Sequence, residues 1–321
     1  VYERFNKVQV GKGYALDWLF KIIDRDHKDA GYEGYMIFDA DNILDVNYVS
    51  EMNKVFDNGY DILTSYRNSK NFDSNWISAA YSLWFLREAR YLNNSRMQLG
   101  TSCAISGTGF LVGANVIEGN GGWIHHLLTE DIEFTCDSVS KGMKIGYASK
   151  AVLYDEQPTK FSQSYTQRLR WAKGFYQVFA NYGGKLLKGV LKGSFSCLDM
   201  FMTVMPAMLL TLLSVLINVV AIPVAIATDA PETAILVQAL IQTLVNFYGL
   251  FFILGLLTAI TEWDQIHCVW YKKVLYLFTF PVFMLSYVPI AIIALFKKVE
   301  WKPIKHSVVR TLDEVRSNEA A

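Results

Sequence analysis

Four short groups of residues in this chain have types and spacings that could act on a phosphorylated substrate. They are Gly11-Lys12-Gly13, the pair Asp39 and Asp41, the run Thr129-Glu130-Asp131 and the segment Gln167 to Trp171. Carboxylates can supply metal ligands and a general base, while lysine and arginine side chains bind phosphate oxygens. Each group alone is weak evidence. Their order along one chain predicts an enzyme that binds a metal-diphosphate.

Asp39 and Asp41 follow the compact apolar run Tyr35 to Phe38, which has the pattern of a buried strand. Because one residue separates them, both side chains can point to the same side of a sheet. Two such oxygen ligands suit Mg²⁺ or Mn²⁺, which takes further ligands from water and a substrate diphosphate. The alternative is a simple turn or helix cap. An EF-hand is poorly supported, because Ser50 replaces the closing glutamate.

Glu130 and Asp131 come after the glycine-rich stretch Gly119 to Gly122 and the aromatic Trp123. A carboxylate held there could take the proton of an acceptor hydroxyl, an effect typically worth about 10²- to 10⁴-fold in rate. We predict Asp131 as the base, Glu130 as a supporting or metal-proximal group, and Trp123 as a sugar-stacking or lid element. The alternative is an ordinary helix start with Thr129 as its N-cap, where the helix dipole favours acidic residues.

Gln167, Arg168, Arg170 and Trp171 lie on a predicted helix of mixed polarity that runs from about 162 to 181. Planar guanidinium groups bind phosphate oxygens, and an indole ring can stack on a sugar. These four residues are therefore candidates for binding a sugar phosphate. The alternative is a basic interfacial helix that contacts anionic lipid, and both roles can hold together.

Two glycine turns are further candidates for phosphate contacts. Lys12 lies in a turn before a helix, so its ammonium and the turn amides could meet a diphosphate. This is not a P-loop, because the GxxxxGK[ST] spacing is absent. Gly107 and Thr108 belong to a second turn, Ser106 to Gly109, for which a purely structural role is the alternative.

Apolar runs of strand length alternate with helical patterns in the first part of the chain. The predicted strands are Tyr35 to Phe38, Tyr60 to Tyr66, Ser102 to Ser106 and Lys144 to Ala148. The predicted helices are Tyr14 to Asp24, Val46 to Asn58, Trp76 to Asn93, Asp131 to Lys141, and 162 to 181 with a break at Gly183-Gly184. This alternation predicts an α/β domain with a largely parallel sheet, whose ligands collect at the carboxyl ends of the strands.

The apolar residues are concentrated after residue 197, and three apolar segments there each reach the roughly 20 residues that a membrane-spanning helix needs. They lie at about 198–228, 233–260 and 274–296. The lysines at 185, 188 and 192 share one face of a preceding helix that we expect to lie in the membrane interface. The predicted organisation is a partial catalytic domain at 1–160, interfacial helices at 161–197, a membrane region of two or three spans at 198–296 and a basic tail at 297–321.

The charges of the connecting segments predict the orientation of the membrane region. Asp229 to Glu232 contains no Lys or Arg and should face outward, whereas Lys272-Lys273 should lie on the cytoplasmic side. Three full spans would place the basic tail, Lys297 to Arg310, outside, against the same rule. We therefore expect one segment to be re-entrant or interfacial, and the proline-broken third segment is the candidate.

Composition excludes some classes of protein. The 321 residues have a formal net charge of zero, which gives no electrostatic argument for a nucleic-acid partner. The four cysteines are isolated from one another, as expected of free thiols in a reducing compartment. The chain begins with Val1 in what resembles the middle of an α/β domain, so we expect an N-terminal part to be missing.

The segments GKGYAL, FDADN, SGTGF, LTED and QRLRW, in this order and before apolar helices, resemble the membrane-bound family 2 glycosyltransferases with the D, D, D, QxxRW pattern. That group includes cellulose, chitin, hyaluronan and poly-N-acetylglucosamine synthases, and the match covers about residues 3 to 180. The resemblance implies a GT-A fold and an inverting transfer of a hexose. It assigns the cation and UDP to Asp39 and Asp41, the general base to Asp131, and the diphosphate and acceptor end to Gln167 through Trp171.

The expected protein is a multi-pass membrane enzyme with its catalytic domain in the cytoplasm. It would move a sugar from a nucleotide-diphosphate donor, expected to be UDP-linked, to a growing polysaccharide with Mg²⁺ or Mn²⁺ as cofactor. Its partners would be the donor, a carbohydrate or lipid-linked acceptor and membrane lipid, without nucleic acid. One alternative is a non-processive transferase that glycosylates a lipid. Another, of a different class, is a transport or binding protein whose soluble domain senses a cation.

Overall fold

The computed structural model describes residues 1–6, 8–205, 217–218, 220–228, 231, 233–302 and 308–317. Part of the predicted apolar segment at 198–228, most of the connection from Asp229 to Glu232 and part of the basic tail lie outside these residues. The N-terminal part of the chain is built on one sheet of five strands. The strands are β1 (Gly34–Ile37), β2 (Ile43–Leu44), β3 (Ile62–Ser69), β4 (Phe110–Gly113) and β5 (Ile145–Asp155).

The sheet is mixed, with the strand order β1-β4-β3-β5-β2. Strands β3 and β5 pair in parallel, whereas β1 with β4, β3 with β4 and β2 with β5 pair antiparallel. The prediction of a largely parallel sheet was therefore wrong. Apolar periodicity marks a strand but carries no information on its direction, and strand β4, directly after the glycine turn, was not predicted. The predicted strand Ser102 to Ser106 is instead an irregular segment, whose Cys103 amide donates to the Ile145 carbonyl at 2.9 Å.

Helices cover both faces of this sheet. They are α1 (Lys12–Asp26), α2 (Tyr48–Phe56), α3 (Trp76–Arg87), α4 (Asn94–Gln98), α5 (Ala114–Gly119) and α6 (Glu130–Ser140). Helix α2 packs Tyr48 and Met52 on one face, against Leu63 and Leu153 of the strands. The larger core lies on the other face, where α3 is apolar enough to be buried along most of its length. This two-sided burial holds the strand ends, and the loops that follow them, in fixed positions.

Two helices follow the sheet, the long α7 (Phe161–Leu191) and the shorter α8 (Phe195–Val204). The predicted break at Gly183-Gly184 was wrong, because α7 continues through both residues. A glycine inside a helix costs only about 1 kcal/mol relative to alanine, which packing of a 31-residue helix can offset. At Gly183 the close neighbour is the Phe179 ring, 3.2 Å from the position a Cβ would take.

The C-terminal part contains α9 (Thr233–Thr261), α10 (Trp270–Leu285), α11 (Tyr287–Phe296) and the short α12 (Leu312–Ser317). Among the described residues, α9 and the combined stretch Trp270–Phe296 are long and apolar enough to cross a membrane, by length and composition alone. They coincide with the second and third predicted apolar segments. Their burial differs, since 17% of the apolar window in α9 is buried and 44% of the window in Trp270–Phe296.

The stretch Trp270–Phe296 contacts the segment before α3 near its start and helix α7 near its end. Lys272 Nζ donates to the Asp73 carbonyl at 3.3 Å near the start, and Lys173 Nζ donates to the Leu295 carbonyl at 3.3 Å near the end. The tail beyond it also contacts the sheet domain, because Arg310 Nη1 donates to the Lys70 carbonyl at 2.7 Å. Both ends of this stretch are thus in contact with residues that precede it in the chain.

Candidate active site

The ammonium of Lys12 joins two of the predicted motifs. Lys12 is the first residue of α1, and its Nζ donates to Asp39 Oδ1 at 2.6 Å and to the Gly107 carbonyl at 2.5 Å. Asp39 follows strand β1, so helix α1 and this strand end meet at one point. The Asp39 carboxylate keeps about half of its exposure, 47%, despite the ion pair. A cation and an accessible carboxylate therefore share one edge of the site.

The turn from Gly107 to Gly109 brings this edge to the acidic helix start. Gly107 has φ +77°, and a Cβ there would lie 3.4 Å from Asp131 Oδ2. Gly109 has φ +65°, and a Cβ there would lie 1.8 Å from the Leu153 side chain. Thr108 is buried, and its Oγ1 accepts the Asp39 amide at 2.9 Å. The turn thus places the Asp39 and Asp131 motifs side by side, and the predicted phosphate contacts of Gly107 and Thr108 stay a prediction.

Glu130 and Asp131 form the first turn of helix α6, and burial raises the pKa values of both carboxyl groups. Glu130 is 8% exposed, and burial together with repulsion from Asp131 raises its pKa to about 8. Burial also raises the pKa of Asp131, while the nearby charges of Lys12 and Arg170 oppose that rise. We call Lys12, Asp39, Gly107, Glu130 and Asp131 the acidic cluster. Thr129 stands at the predicted N-cap position, although its side chain makes no capping hydrogen bond.

Asp41 lies close to the acidic cluster but has different contacts from Asp39. Residues 40 and 41 form a turn, so the alternation of side chains along a strand does not continue through them. Asp41 Oδ2 accepts the Glu156 amide at 3.1 Å, and its carbonyl accepts Lys70 Nζ at 2.8 Å. Burial is the main cause of the raised pKa of Asp155, and the charges of Asp41 and Asp39 both add to it. Both carboxylates are therefore near the end of strand β5.

These two carboxylates are the candidate ligands for a divalent cation. Among the described residues, no group of three or more His, Cys, Asp or Glu side chains could hold a metal ion. Mg²⁺ is commonly bound by one or two carboxylates, with substrate phosphates and waters completing its coordination. The exposed Asp39 carboxylate and the neighbouring Asp41 fit that mode. They do not fit a cage built of protein ligands alone.

Arg67 organises this site, and the sequence analysis missed it. It lies on strand β3, and its Nε donates to Asp155 Oδ2 at 2.7 Å. Its Nη1 donates to the Ser106 carbonyl at 2.7 Å, just before the glycine turn, while its guanidinium stacks on the Phe85 ring at 3.7 Å. A planar, five-donor group suits such a junction. The available signal was a charged residue directly after a strand-like apolar run.

Helix α7 presents one face of its predicted binding segment to the acidic cluster. Gln167, Arg170 and Trp171 are spaced i, i+3 and i+4, which places them on the same face. Arg170 lies close enough to both acids for its charge to lower their pKa values. The buried Gln167 Oε1 has no hydrogen-bond partner in the part of the chain that the structure describes. A change in the position of the side chain would expose this oxygen as an acceptor for a ligand hydroxyl group.

The same face of α7 approaches the Thr129 loop very closely. At Gly174, a Cβ would lie 2.5 Å from both Thr129 Cγ2 and Thr129 Oγ1, so a side chain there would displace the loop. Trp171 packs edge-on against Tyr81 and Phe85, with ring centroids 5.8 and 6.2 Å apart. Its indole is only partly buried, and the unburied part remains a surface on which a sugar could stack.

Arg168 does not join the acidic cluster, contrary to its prediction as a phosphate ligand. Two residues along a helix turn by about 200°, so Arg168 faces almost opposite to Arg170. It is 1% exposed, and its Nη1 donates to the Phe283 carbonyl at 3.0 Å and to Ser286 Oγ at 2.8 Å. Leu169 packs nearby against Ile290 of α11. We call Arg168, Leu169, Ala172, Phe283, Ser286, Ile290 and Ala294 the helix seam.

The structure also contradicts the prediction that Trp123 is a sugar-stacking or lid element. It is 1% exposed, stacks near Phe20 and Phe134, and donates its Nε1 hydrogen to the His125 carbonyl at 2.8 Å. An indole enclosed in this way cannot stack on a sugar or act as a lid. His125 pairs with Asp137 at 3.2 Å. The pKa of Asp137 is lowered to about 2 by the hydrogen bonds that His125 and Lys141 donate, against the effect of burial.

Comparison with known proteins now identifies the class of this site. The model of a family described as Glycosyl transferase family group 2 matches residues 36–228, more than half of the chain. The match contains Asp39, Asp41, Asp131 and the α7 segment. A curated relative, the probable glycosyltransferase YdaM of Bacillus subtilis (strain 168), is 31% identical over 84 residues. These cover 26% of this chain and 20% of the relative, so the chain aligns with about a fifth of that protein's length.

The family match contains Asp39, the glycine turn, the start of helix α6 and the inward face of α7. An enzyme of this kind uses a nucleotide-sugar donor and an acceptor, and members of the family generally use divalent metal ions. By its match over more than half of its length, the chain belongs to glycosyl transferase family group 2 and is a glycosyltransferase.

Proposed function

We propose that this glycosyltransferase moves a hexose from a nucleotide-diphosphate donor, with UDP the expected nucleotide, to a growing polysaccharide, inverting the anomeric centre. One observation carries the proposal. Lys12 Nζ contacts both Asp39 and the Gly107 carbonyl, and Gly107 lies against the Asp131 carboxylate. A phosphate-binding cation, a candidate metal ligand and a candidate base therefore meet at one place, as transfer from a diphosphate requires.

Asp131 is proposed to take the proton from the acceptor hydroxyl as that oxygen attacks the anomeric carbon. Attack from the side opposite the diphosphate breaks the bond to the leaving group and inverts the centre. Burial raises the pKa of Asp131, which makes its carboxylate a stronger base than an exposed aspartate. Glu130, with a pKa near 8, is mainly protonated at neutral pH and so adds little negative charge beside it.

The leaving diphosphate is proposed to bind Lys12 and Arg170. Both side chains are cationic and lie close to the acidic pair, on elements that approach it from different sides. Gln167 is proposed to orient a sugar hydroxyl through its unpartnered carbonyl oxygen, with Trp171 beneath the sugar ring. Asp39 and Asp41 would hold Mg²⁺ or Mn²⁺, which when bound neutralises charge on the diphosphate.

A position at the cytoplasmic face of a membrane is proposed from the C-terminal helices. Helix α9 exposes most of its apolar surface, which a lipid bilayer would cover. The stretch Trp270–Phe296 has both flanks on the sheet domain and is proposed to lie in the interface, on the same side as the catalytic site. This arrangement keeps the basic tail with the catalytic domain and removes the conflict with the expected charge distribution.

The test compares Asp131→Asn with Asp24→Asn, an exposed carboxylate on helix α1 changed in the same way. We expect Asp131→Asn to lower transfer by about 10²- to 10⁴-fold while donor binding persists, because only the proton acceptor is lost. Asp24→Asn should retain full activity. Unchanged turnover in Asp131→Asn would remove the base assignment.

The same assay tests the metal and the acceptor. Chelation by EDTA should suppress transfer, and added Mg²⁺ or Mn²⁺ should restore it; indifference to chelation would remove the role of Asp39 and Asp41. Separation of labelled product into polymer and glycolipid fractions tests the acceptor. A product found only as single sugars on lipid would replace the polymer proposal by the non-processive one.

A further inference from the structure

The side chain of Arg67 lies close to the acidic cluster, and the proposed reaction does not use it. It is 15% exposed. Burial raises the pKa of Asp131, and the charge of Arg67 is among those that oppose this rise. An arginine beside a diphosphate is usually expected to bind it, because the planar guanidinium matches phosphate oxygens. The contacts of Arg67 indicate a different role.

The guanidinium of Arg67 is already bonded within the protein. Nε and Nη2 both donate to Asp155 Oδ2, Nε at 2.7 Å, while Nη1 donates to the Ser106 carbonyl at 2.7 Å and to Ser106 Oγ at 3.2 Å. The Phe85 ring covers one face of the guanidinium, with its centroid 3.7 Å from Cζ. Asp155 is 4% exposed, so a phosphate that displaced it would leave a buried charge without its partner. Arg67 is therefore poorly placed to bind the donor.

The first partner, Asp155, leads to the candidate metal ligands. Glu156 follows Asp155 directly, and its amide donates to Asp41 Oδ2 at 3.1 Å. A displacement of Asp155 would therefore act on the contact of Asp41. Asp41 has a further support, because Lys70 Nζ donates to its carbonyl at 2.8 Å. The loss of Arg67 would thus leave Asp41 with one of these supports in place.

The second partner, Ser106, leads to the candidate base. Gly107 follows Ser106 directly, and a Cβ at Gly107 would lie 3.4 Å from Asp131 Oδ2. The Gly107 carbonyl also accepts Lys12 Nζ at 2.5 Å. A shift of Ser106 would therefore move the backbone against which the Asp131 carboxylate lies. Through its two partners, Arg67 thus connects the metal side of the site with the base side.

Strand β3 is held on both sides of Arg67. The Tyr66 hydroxyl donates a short hydrogen bond to Glu262, and Asn68 Nδ2 donates to the Gln265 carbonyl at 2.8 Å. Both partners belong to the segment that follows helix α9. These bonds oppose a shift of the strand that could compensate for a different side chain at position 67. Lysine has one nitrogen in place of the three that Arg67 uses, so it cannot keep all of these bonds.

We propose that Arg67 is a positioning residue of this glycosyltransferase, whose guanidinium holds the candidate metal ligands and the candidate base at a fixed separation. The inference rests on the proposed reaction at Asp131. Because Lys70 continues to support Asp41, the loss of the guanidinium should disturb the base side more than the donor side. The expected signature is a fall in kcat with donor binding retained.

The experiment compares native chain and Arg67→Lys, which keeps the charge and removes the planar fork, as purified full-length protein in detergent. Misplacement of a base by about 1 Å can cost roughly 10²-fold, so we expect kcat to fall by about 10- to 100-fold. The donor KM and the Kd of UDP with Mn²⁺, measured by calorimetry, should change by less than about threefold, because ground-state binding is kept. Expressing kcat per UDP-binding site removes any loss of folded protein from the comparison.

The matched control is Arg25→Lys. Arg25 Nε and Nη2 donate to the Asp26 carboxylate at 2.6 and 2.7 Å, which is also a contact of two nitrogens with one carboxylate. The Arg25 side chain is 71% exposed near the end of helix α1, so this variant should keep the native kcat and KM. A second variant, Asp155→Asn, removes the charge of the first partner and should lower kcat about tenfold. Since both residues act together, the double variant should lose less than the product of the two single losses.

A native kcat per UDP-binding site in Arg67→Lys would overturn the proposal, because Arg67 would then serve stability alone. A rise in the Kd of UDP as large as the fall in kcat would also overturn it, in favour of a phosphate ligand. If Arg67→Lys does not fold, Asp155→Asn is judged by the same two measurements. The proposed function fails separately. If Asp131→Asn loses transfer while Arg67→Lys keeps it, the base assignment stands and only the positioning role falls.

Discussion

The acidic cluster and the helix seam lie on opposite faces of one helix, and they use the same residue type in different ways. Arg170 approaches the buried acids Glu130 and Asp131, where its charge opposes the rise in their pKa values. Arg168, two residues earlier, is enclosed between helices and donates to Phe283 and Ser286. In the acidic cluster the charges compensate one another, whereas in the seam one guanidinium is buried with carbonyl and hydroxyl partners.

One face of helix α7 therefore carries the candidate binding residues, and the opposite face packs against the C-terminal helices. Positions 167, 170 and 171 face the site because they are spaced by three and four residues. Position 168 holds the C-terminal helices against the same rigid element. A displacement of those helices would thus act on α7 directly, and α7 in turn touches the Thr129 loop at Gly174. Helix α7 thus contacts both the C-terminal helices and the loop that precedes the candidate base Asp131.

Among changes on the two faces of α7, the largest effect is expected from Arg170→Leu. Loss of the cation beside the acidic pair removes stabilisation of charge on the leaving diphosphate, for which a decrease of about 10²- to 10³-fold in kcat/KM is expected. The fold should persist, because Arg170 is partly exposed and its ring partner, Trp301, is distant at 5.9 Å. Transfer kinetics with a Tm measurement test this, and near-native kcat/KM would show that Arg170 serves only structure.

A smaller loss is expected from Gly174→Ala. The new Cβ would meet Thr129 at 2.5 Å and push apart α7 and the loop that begins helix α6. Misplacement of a base by about 1 Å can cost roughly 10²-fold, so we expect a decrease of about 10- to 100-fold in kcat. The matched control is Gly184→Ala on the same helix, where no atom lies within 4 Å of the new Cβ. Equal activity of the two variants would contradict a close fit between α7 and the base.

A substitution in the helix seam is expected to change the stability of the protein and not its turnover. Nε and Nη2 of Arg168 are buried without partners among the described residues, so Arg168→Met keeps the volume and removes an unfavourable burial. Replacing buried charge by an apolar group of similar size is often neutral or stabilising by about 1 to 4 kcal/mol. We expect an unchanged or higher Tm with little change in kcat/KM. A loss of turnover as large as that of Arg170→Leu would place both faces of α7 in the chemistry.

Much of the acidic cluster could be predicted from the sequence, because its residues follow strand ends or begin helices. Asp39, Gly107 and Asp131 stand at such boundaries, and the structure brings them together. Trp123 could not be placed in this way, since an aromatic residue after a glycine-rich loop has the same local pattern whether it is exposed or enclosed by Phe20 and Phe134.

The fold was less predictable than the site. Apolar runs located β1, β3 and β5, but strand direction depends on contacts between segments far apart in sequence, so the mixed sheet could not be derived. Arg67 was missed for a related reason. Its three partners come from β5, from the segment before the glycine turn and from α3, and no local pattern joins them. The opposite directions of Arg168 and Arg170, by contrast, follow from helical geometry alone, because their spacing of two residues is a local property of the sequence.

The smallest expected effect concerns Glu130, and it depends on pH. The folded-state pKa of Glu130 is about 8, raised from a value of 4.5, so the folded protein holds this proton over a range in which the unfolded chain releases it. Stability linked to Glu130 is therefore fully present below pH 4.5 and is lost as pH rises through about 8.

Glu130→Gln keeps a neutral, hydrogen-bonding side chain at every pH. Its Tm should match that of the native chain near pH 4.5 and exceed it increasingly toward pH 8. The difference should level off above pH 8, because the carboxyl group beside Asp131 is then ionised in the folded as well as the unfolded chain. Thermal unfolding of both proteins across this range measures the difference, with Asp24→Asn as the exposed control that should show no such trend. A Tm difference that stays constant with pH would mean that Glu130 ionises freely. The contrast between the acidic cluster, where charges compensate one another, and the helix seam, where a buried guanidinium has only uncharged partners, would then lose its basis.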